Sequence, residues 1–272
     1  MHHQDIESPE ELQDAIQGFW YVRWDGEESK DGFEVMPDGH AEIIFHFGSG
    51  CSILHNGSLQ PLPSPFMVGL LNEPVVFYPE DRLEIIGIKC LPWAVFDLLG
   101  LPSGKERVHA FEHPIARLQS ALNTFILDGK IDDALELVKQ YFLDARSGVA
   151  ANTLLHKAGA AMRKANGTLP VSRIAEAVHS TVRTLERNFK KSSGHTVKDV
   201  SGLMRFEQAR NQLWCYPDAN IAGLAHELGY ADQSHLNREF KRYSGTTAAA
   251  FARKAKAGKE AVSADLVAFV LS

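Results

Sequence analysis

Leu185, Arg187, Phe189 and Lys190 recur further along the chain as Leu236, Arg238, Phe240 and Lys241. Over positions 185–196, seven of twelve residues match those at an offset of 51. Unrelated segments share about one, so the stretch reads as an internal duplication. In each copy the Leu and Phe stand four apart and mark the inward side of a helix. The residues between them then face outward: Arg183, Glu186, Arg187 and Lys190 in one copy, Gln233, Ser234, Asn237, Arg238 and Lys241 in the other. Arg, Asn, Gln, Ser and Glu are the side chains that hydrogen-bond base edges in a major groove. Lys190, Lys191, Lys241 and Arg242, near the helix ends, suit phosphate contacts that position without reading sequence. The chemistry expected of this duplication is therefore recognition of double-stranded DNA.

Each copy also holds the elements that would position such a helix. A first helix offers Ile174, Ala175 and Val178, or Leu224, Ala225 and Leu228. A turn follows at His179-Ser180 or Gly229-Tyr230-Ala231; glycine takes the positive φ that ends a helix more comfortably than histidine does. Thr181 and Asp232 then stand where an N-cap oxygen satisfies the free amides of the second helix. These are the parts of a helix-turn-helix, twice over. The joining stretch "VKDVSGLMRFEQARNQL" is helical in pattern. At ~1.5 Å per residue it spans roughly 25 Å, enough to hold two readers about one turn of DNA, ~34 Å, apart. Helices are expected at 153–165, 171–179, 181–192, 197–213, 220–228, 232–243 and 246–256, with no strand among them.

Charge divides in the same place. From Ala160 to Lys256 there are 16 Lys and Arg against 8 Asp and Glu, a balance of +8. The whole chain of 272 residues carries −6, so the remainder carries −14. A basic module beside an acidic one fits a polyanion partner for the basic module alone. No apolar run approaches the roughly 18 residues that cross a bilayer, and the polar start is no signal peptide, so a cytoplasmic protein is expected. Cys51, Cys90 and Cys215 are few, scattered and without C-x-x-C spacing, which reads as three reduced, buried thiols.

The first hundred residues read as β. "AEIIFHF", "PFMVGLL", "PVVFYP" and "RLEIIGIKCLP" are short apolar or alternating runs bounded by Pro, Gly or Asn, the pattern of an antiparallel barrel or sandwich. After Pro114 the period becomes helical, with Ile115, Leu118, Leu122, Phe125 and Ile126 on one face, then Ile131, Leu135, Val138, Tyr141 and Phe142 on another. These faces pack either on the barrel or on a second copy of the chain. The fold class expected is α+β: a cupin-like antiparallel β-barrel or sandwich with helices at 1–147, a linker at 148–152, an all-α domain with two helix-turn-helix units at 153–256, and a tail at 257–272.

The β-rich half is dense in aromatic residues. Trp20, Tyr21, Trp24, His40, Phe45, His46 and Trp93 are the candidate lining of an effector pocket. His40, Glu42, His46 and His55 raise a metal reading, but the His-x-His pair followed by Glu that cupin-type barrels use is missing. A nucleophile constellation and a phosphate-cradling glycine loop are also missing. No metal, no cofactor and no enzymatic activity is expected; the competing class is a cupin-like metalloenzyme, or a dimerisation module, fused to a DNA anchor.

The stretch "IAGLAHELGYADQSHLNREFKRYSGTTAAAFAR" resembles the AraC-type transcriptional regulators, whose pattern is an apolar-Ala helix, a Gly-aromatic turn, then Ser-x-x-x-Arg-x-Phe-Lys and a closing Gly-Thr-Thr-like stretch. The resemblance is clearest from Pro170 to Lys256 and departs where the family usually has a proline near Ala248. It implies a seven-helix DNA-binding domain with two helix-turn-helix units that acts in transcription activation, with RNA polymerase as a further partner. More loosely, "PDGHAEIIFHFG" and "GIKCLPWAVFDLLGLP" resemble the β-rich domain often fused to such readers. That likeness implies sensing of a small-molecule effector, or homodimerisation, by the amino-terminal half.

Overall fold

The computed structural model describes residues 2–24, 32–55, 57–101, 104, 106–146 and 153–261. The expected linker at 148–152 and the tail beyond residue 261 lie outside the described residues. The chain divides into two compact units: 1–35, 40–70 and 75–152 form the first, and 36–39, 71–74 and 153–272 the second.

Among the described residues the first unit holds ten strands: β1 (His2–Glu7), β2 (Ile16–Trp24), β3 (Phe33–Val35), β4 (Ala41–Gly48), β5 (Cys51–His55), β6 (Ser58–Pro61), β7 (Phe66–Val68), β8 (Val75–Pro79), β9 (Leu83–Cys90) and β10 (Val108–Ala110). They form two antiparallel sheets, one of six strands in the order β1-β2-β9-β4-β7-β10 and one of four in the order β3-β8-β5-β6. Of the two expected arrangements, barrel or sandwich, the described strands take the sandwich-like one. β1 was not expected: its polar sequence carries no alternation, yet it pairs with β2 from His2↔Arg23 to Glu7↔Gly18.

Alternation along the strands sends side chains to two faces. One face of the large sheet, with Phe19, Tyr21, Ile43, Phe45, Met67, Ile86 and Ile88, is packed by helices. These are α1 (Val95–Leu99), a 3₁₀ turn at Pro114–Leu118 running into α2 (Gln119–Leu127), and α3 (Ile131–Arg146). Pro114 enters that turn at its start, where its missing N–H costs nothing, and His113 Nδ1 accepts from the Ile115 N–H at 3.3 Å. Ile115, Leu122, Ile126, Leu135, Val138 and Phe142 are all buried in this layer. The helical periodicity that also fitted a dimer face is thus consumed by the unit's own sheet.

Among the described residues the regular elements of the second unit are helices: α4 (Thr153–Lys164), α5 (Val171–Ala177), α6 (Val182–Ser193), α7 (Val197–Cys215), α8 (Ile221–Glu227), α9 (Gln233–Ser244) and α10 (Ala248–Ala261). α10 continues past the expected end at 256. α5 and α6 pack on α4, α8 packs on α9, and α7 packs against α6, α9 and α10. Among the described residues no helix is long and apolar enough to cross a membrane. Cys51 and Cys90 are buried, and burial pushes the Cys51 thiol up to about 12. Cys215 departs from the expectation: it is exposed at the end of α7.

Candidate nucleic-acid interface

The two copies are equivalent at the level of single hydrogen bonds. At the end of α5 the N–H groups of His179 and Ser180 donate to the carbonyls of Glu176 and Ala175, at 3.0 and 2.9 Å. At the end of α8 those of Gly229 and Tyr230 donate to His226 and Ala225, at 3.1 and 2.9 Å. This pair of bonds is the Schellman closure of a helix, and it needs a left-handed residue at its centre. Gly229 meets the requirement at φ +71°, and His179 meets it at φ +51° despite its Cβ.

The caps follow as the spacing required. Thr181 Oγ1 accepts from the Thr184 N–H at 3.1 Å, and Asp232 Oδ1 from the His235 N–H at 2.7 Å. Leu185 and Phe189, and likewise Leu236 and Phe240, are buried, which fixes the rotation of α6 and α9. Both helices end at a left-handed glycine, Gly194 or Gly245. Beside those glycines, Ser193 Oγ donates to the Phe189 carbonyl at 2.8 Å and Ser244 Oγ to that of Phe240 at 2.7 Å. Thr196 and Thr247 then open α7 and α10. Burial works against the Asp199 carboxylate in the first of these caps. Two hydrogen bonds from Thr196, with the charges of His195 and Arg242, outweigh it and hold the carboxyl below its usual range.

Of the eleven residues expected to touch DNA, nine are exposed: Arg183, Arg187, Lys190, Lys191, Gln233, Ser234, Arg238, Lys241 and Arg242. Glu186 and Asn237 are not presented in this way. Each is half-buried and turned toward the next helix: Glu186 Oε2 accepts from the Val197 N–H at 3.1 Å, and Asn237 Oδ1 from the Ala248 N–H at 3.3 Å. The spacing of Leu and Phe could place these residues between the buried positions but not say where their tips reach. Val182, omitted from the expected set, is 43% exposed at the start of α6. Its signal was available, because it occupies the place of Gln233 at the offset of 51.

The surroundings of the copies differ. Glu239 in α9 pairs with Arg205 of α7 at 3.2 Å, and the Arg205 guanidinium lies 5.1 Å from the Tyr230 ring centre. Burial, reinforced by Glu239, raises the Tyr230 hydroxyl pKa, so the ring stays neutral beside that pair. The counterpart of Glu239 in the first copy is Asn188, whose amide donates to its own helix at the Thr184 carbonyl, 2.8 Å away.

Residues 174–254 match a family model described as a helix-turn-helix domain. The HTH-type transcriptional activator RhaS of Yersinia pestis (strain Pestoides F) is 35% identical over 69 residues, 25% of this chain and 25% of that one. The second unit thus resembles the AraC-type regulators in its helix-turn-helix part. The chain spans about a quarter of the length of the curated relatives it matches. Residues 4–107, most of them in the first unit, match a family model described as a domain of unknown function, DUF6597. Among solved structures, ToxT of Vibrio cholerae bound to an unsaturated fatty acid is 10% identical, with a TM-score of 0.48 over 86% of this chain and 94% of that one. The DNA-binding domain of the global transcriptional factor AdpA, in complex with a target DNA, is 20% identical, with a TM-score of 0.37 over 41% of this chain and 100% of that one.

The pocket residues expected in the first unit are divided by the sheet. Tyr21 and Phe45 point into the helix-packed core, and Tyr21 Oη donates to buried Glu84 there. Trp20, Trp24 and His46 alternate to the opposite face. On that face ring contacts run from Trp24 to Phe33 (5.5 Å), Phe33 to Phe77 (5.6 Å), Phe77 to Phe66 (5.9 Å) and Phe66 to His46 (6.1 Å). Trp20 lies over Gly87 of β9, where a Cβ would come within 2.0 Å of the indole; only glycine admits the ring. Its Nε1 is buried without a hydrogen-bond partner among the described residues. His46 Nε2 faces the Leu62 and Pro63 carbonyls, both at 3.2 Å, and burial lowers its pKa in spite of them. Trp93 is buried in the loop after β9, and His40 is half-buried just before β4. Among the described residues His40, Glu42, His46 and His55 are not brought together as one group of metal donors.

Proposed function

We propose that the protein is a sequence-specific DNA-binding regulator of transcription, of the activating kind, in which α6 and α9 each enter a major groove. The observation that carries this reading is the repeated frame itself. Two capped helices, with their buried faces fixed by equivalent residues, present Arg187 and Arg238, Lys190 and Lys241, and Lys191 and Arg242 at matching exposed positions. The arginines have the donors to read base edges, and the basic residues at the helix ends the charge to hold phosphates. α7, 19 residues long and ~28 Å by helical rise, is long enough to hold the two readers nearly a turn of DNA apart.

The test is duplex binding by the full chain against salt. Some four phosphate contacts give a slope near −3.6, so affinity falls on the order of a hundredfold between ~50 and ~200 mM salt. A flat response sinks the reading.

The first unit, in the same proposal, is the sensing part. Support comes from the aromatic face that runs from Trp24 to His46 and from the unpartnered Trp20 Nε1, a combination suited to a flat apolar effector with one acceptor. A homodimer through this unit belongs to the proposal too. With the inner faces of α2 and α3 spent on the sheet, the contact falls to exposed apolar residues such as Leu127, or Leu54 and Leu59 on paired strands.

A further inference from the structure

At the offset of 51 the outward positions of α6 and α9 are mostly alike. Arg187 is matched by Arg238, Lys190 by Lys241 and Lys191 by Arg242. Glu186 and Asn237 are withdrawn to the following helices in the same way. What differs is the first turn. α6 begins Val182-Arg183 and α9 begins Gln233-Ser234, all four exposed. The backbone under both pairs is held alike, by the Thr181 cap and by the Asp232 cap.

We propose that these four first-turn residues are the specificity-determining set, and that the chain reads two unlike sub-sites: thymine beside guanine under α6, and adenine under α9, each next to a guanine held by the shared arginine. The proposal rests on the DNA-binding reading above. The residues that open a recognition helix are those that approach base edges. An exposed Val182 has no polar use in water, and the major-groove feature that an isopropyl group can select is the thymine methyl. Arg183 adds a fork that fits guanine O6 and N7. Gln233 presents the amide that pairs with adenine N6 and N7, while Ser234 accepts or donates and discriminates little. Because Arg187 and Arg238 share one register position, they ask for the same base in both sub-sites.

The experiment is affinity selection from a randomised duplex pool with the full chain, then with V182Q/R183S and with the reciprocal Q233V/S234R. The parent should enrich two unlike sub-sites about one helical turn apart, with a guanine common to both. V182Q/R183S should select the second sub-site twice. Its affinity for the parent duplex should fall roughly 10- to 100-fold and return when the first sub-site is replaced by a copy of the second. Q233V/S234R should convert the other half in the same way. All four positions are exposed, so circular dichroism should show unchanged helix in both variants. The proposal is overturned if either well-folded variant selects the parent sequence with the parent's discrimination, or if the parent selects two identical sub-sites. Enrichment of no sequence by the parent would remove the DNA-binding reading itself, and this proposal with it.

Discussion

In the first helix-turn-helix copy the turn closes around His179 at φ +51°, and in the second around Gly229 at φ +71°, with the same two backbone bonds. The acceptor for the next helix's first N–H is a carboxylate in one copy, Glu186, and an amide in the other, Asn237. The buried Leu and Phe are the same in both. The second copy alone adds the Arg205–Glu239 pair against Tyr230, where the first has Asn188 bonded within its own helix. The comparison separates what the frame needs from what it tolerates. It needs buried volume and an acceptor at one place; it tolerates a change of charge, and even a strained turn, elsewhere.

The largest effect should come from the buried rings. Phe189 and Phe240 are 0% and 1% exposed, and Phe240 meets Phe206 and Phe251 at 5.0 and 5.4 Å. Phe189→Ala and Phe240→Ala should each cost about 3–5 kcal/mol, combining lost burial with the cavity left behind. Urea denaturation measures it. A loss in one copy only would break the equivalence of the two frames, and a loss in neither would mean that the helix faces are rotated.

Next come the shared arginines. Arg187→Ala and Arg238→Ala should each lose roughly 1–3 kcal/mol at the specific duplex and relax preference at one position, a different one for each copy. Lys191→Ala should weaken all duplexes about equally. Binding titrations against single-base variants of the site decide it. Uniform loss in the arginine variants would mean that base and phosphate contacts are assigned the wrong way round.

Glu186 and Asn237 give a smaller effect of another kind. Glu186→Ala and Asn237→Ala should each cost about 1 kcal/mol of stability by freeing the N–H of Val197 or Ala248, with the carboxylate the costlier loss. The carboxylate also sits at the positive end of α7, where solvent screens part of its benefit. Sequence preference in the selection experiment should not move. If preference moves and melting does not, these side chains read bases after all.

That pair also marks where the sequence stops being legible. Thr181 and Asp232 could be assigned as caps because an N-cap bonds within three residues of itself, and the buried Leu and Phe because helical period is local. Glu186 and Asn237 reach eleven residues ahead to another helix, which no local period records. The same limit governs the first unit. β7, β8 and β9 stood out as apolar runs between turn residues, whereas β1 is polar and is placed by its pairing with β2. Trp20 and Tyr21 looked like one aromatic cluster in sequence, yet strand alternation sends them to opposite faces of the sheet.

The smallest effect tests the turns, where the copies differ most visibly. A non-glycine residue in the left-handed region costs about 1–2 kcal/mol, which glycine avoids. Glycine gives back ~0.4–1 kcal/mol through the greater freedom of the unfolded chain. His179→Gly should therefore stabilise the second unit by about 0.5 kcal/mol. Gly229→Ala should destabilise it by about 1 kcal/mol, and steric crowding adds nothing, because a Cβ there would meet Thr168 at an ordinary 3.6 Å. Exchanging the two residues, His179→Gly with Gly229→His, should then cancel to within about 0.5 kcal/mol, since the same backbone bonds close both turns. Denaturation midpoints at constant m-value measure all three. If the exchange costs as much as Gly229→Ala alone, the turns are not interchangeable, and His179 owes its place to a contact of its own rather than to a frame that merely tolerates it.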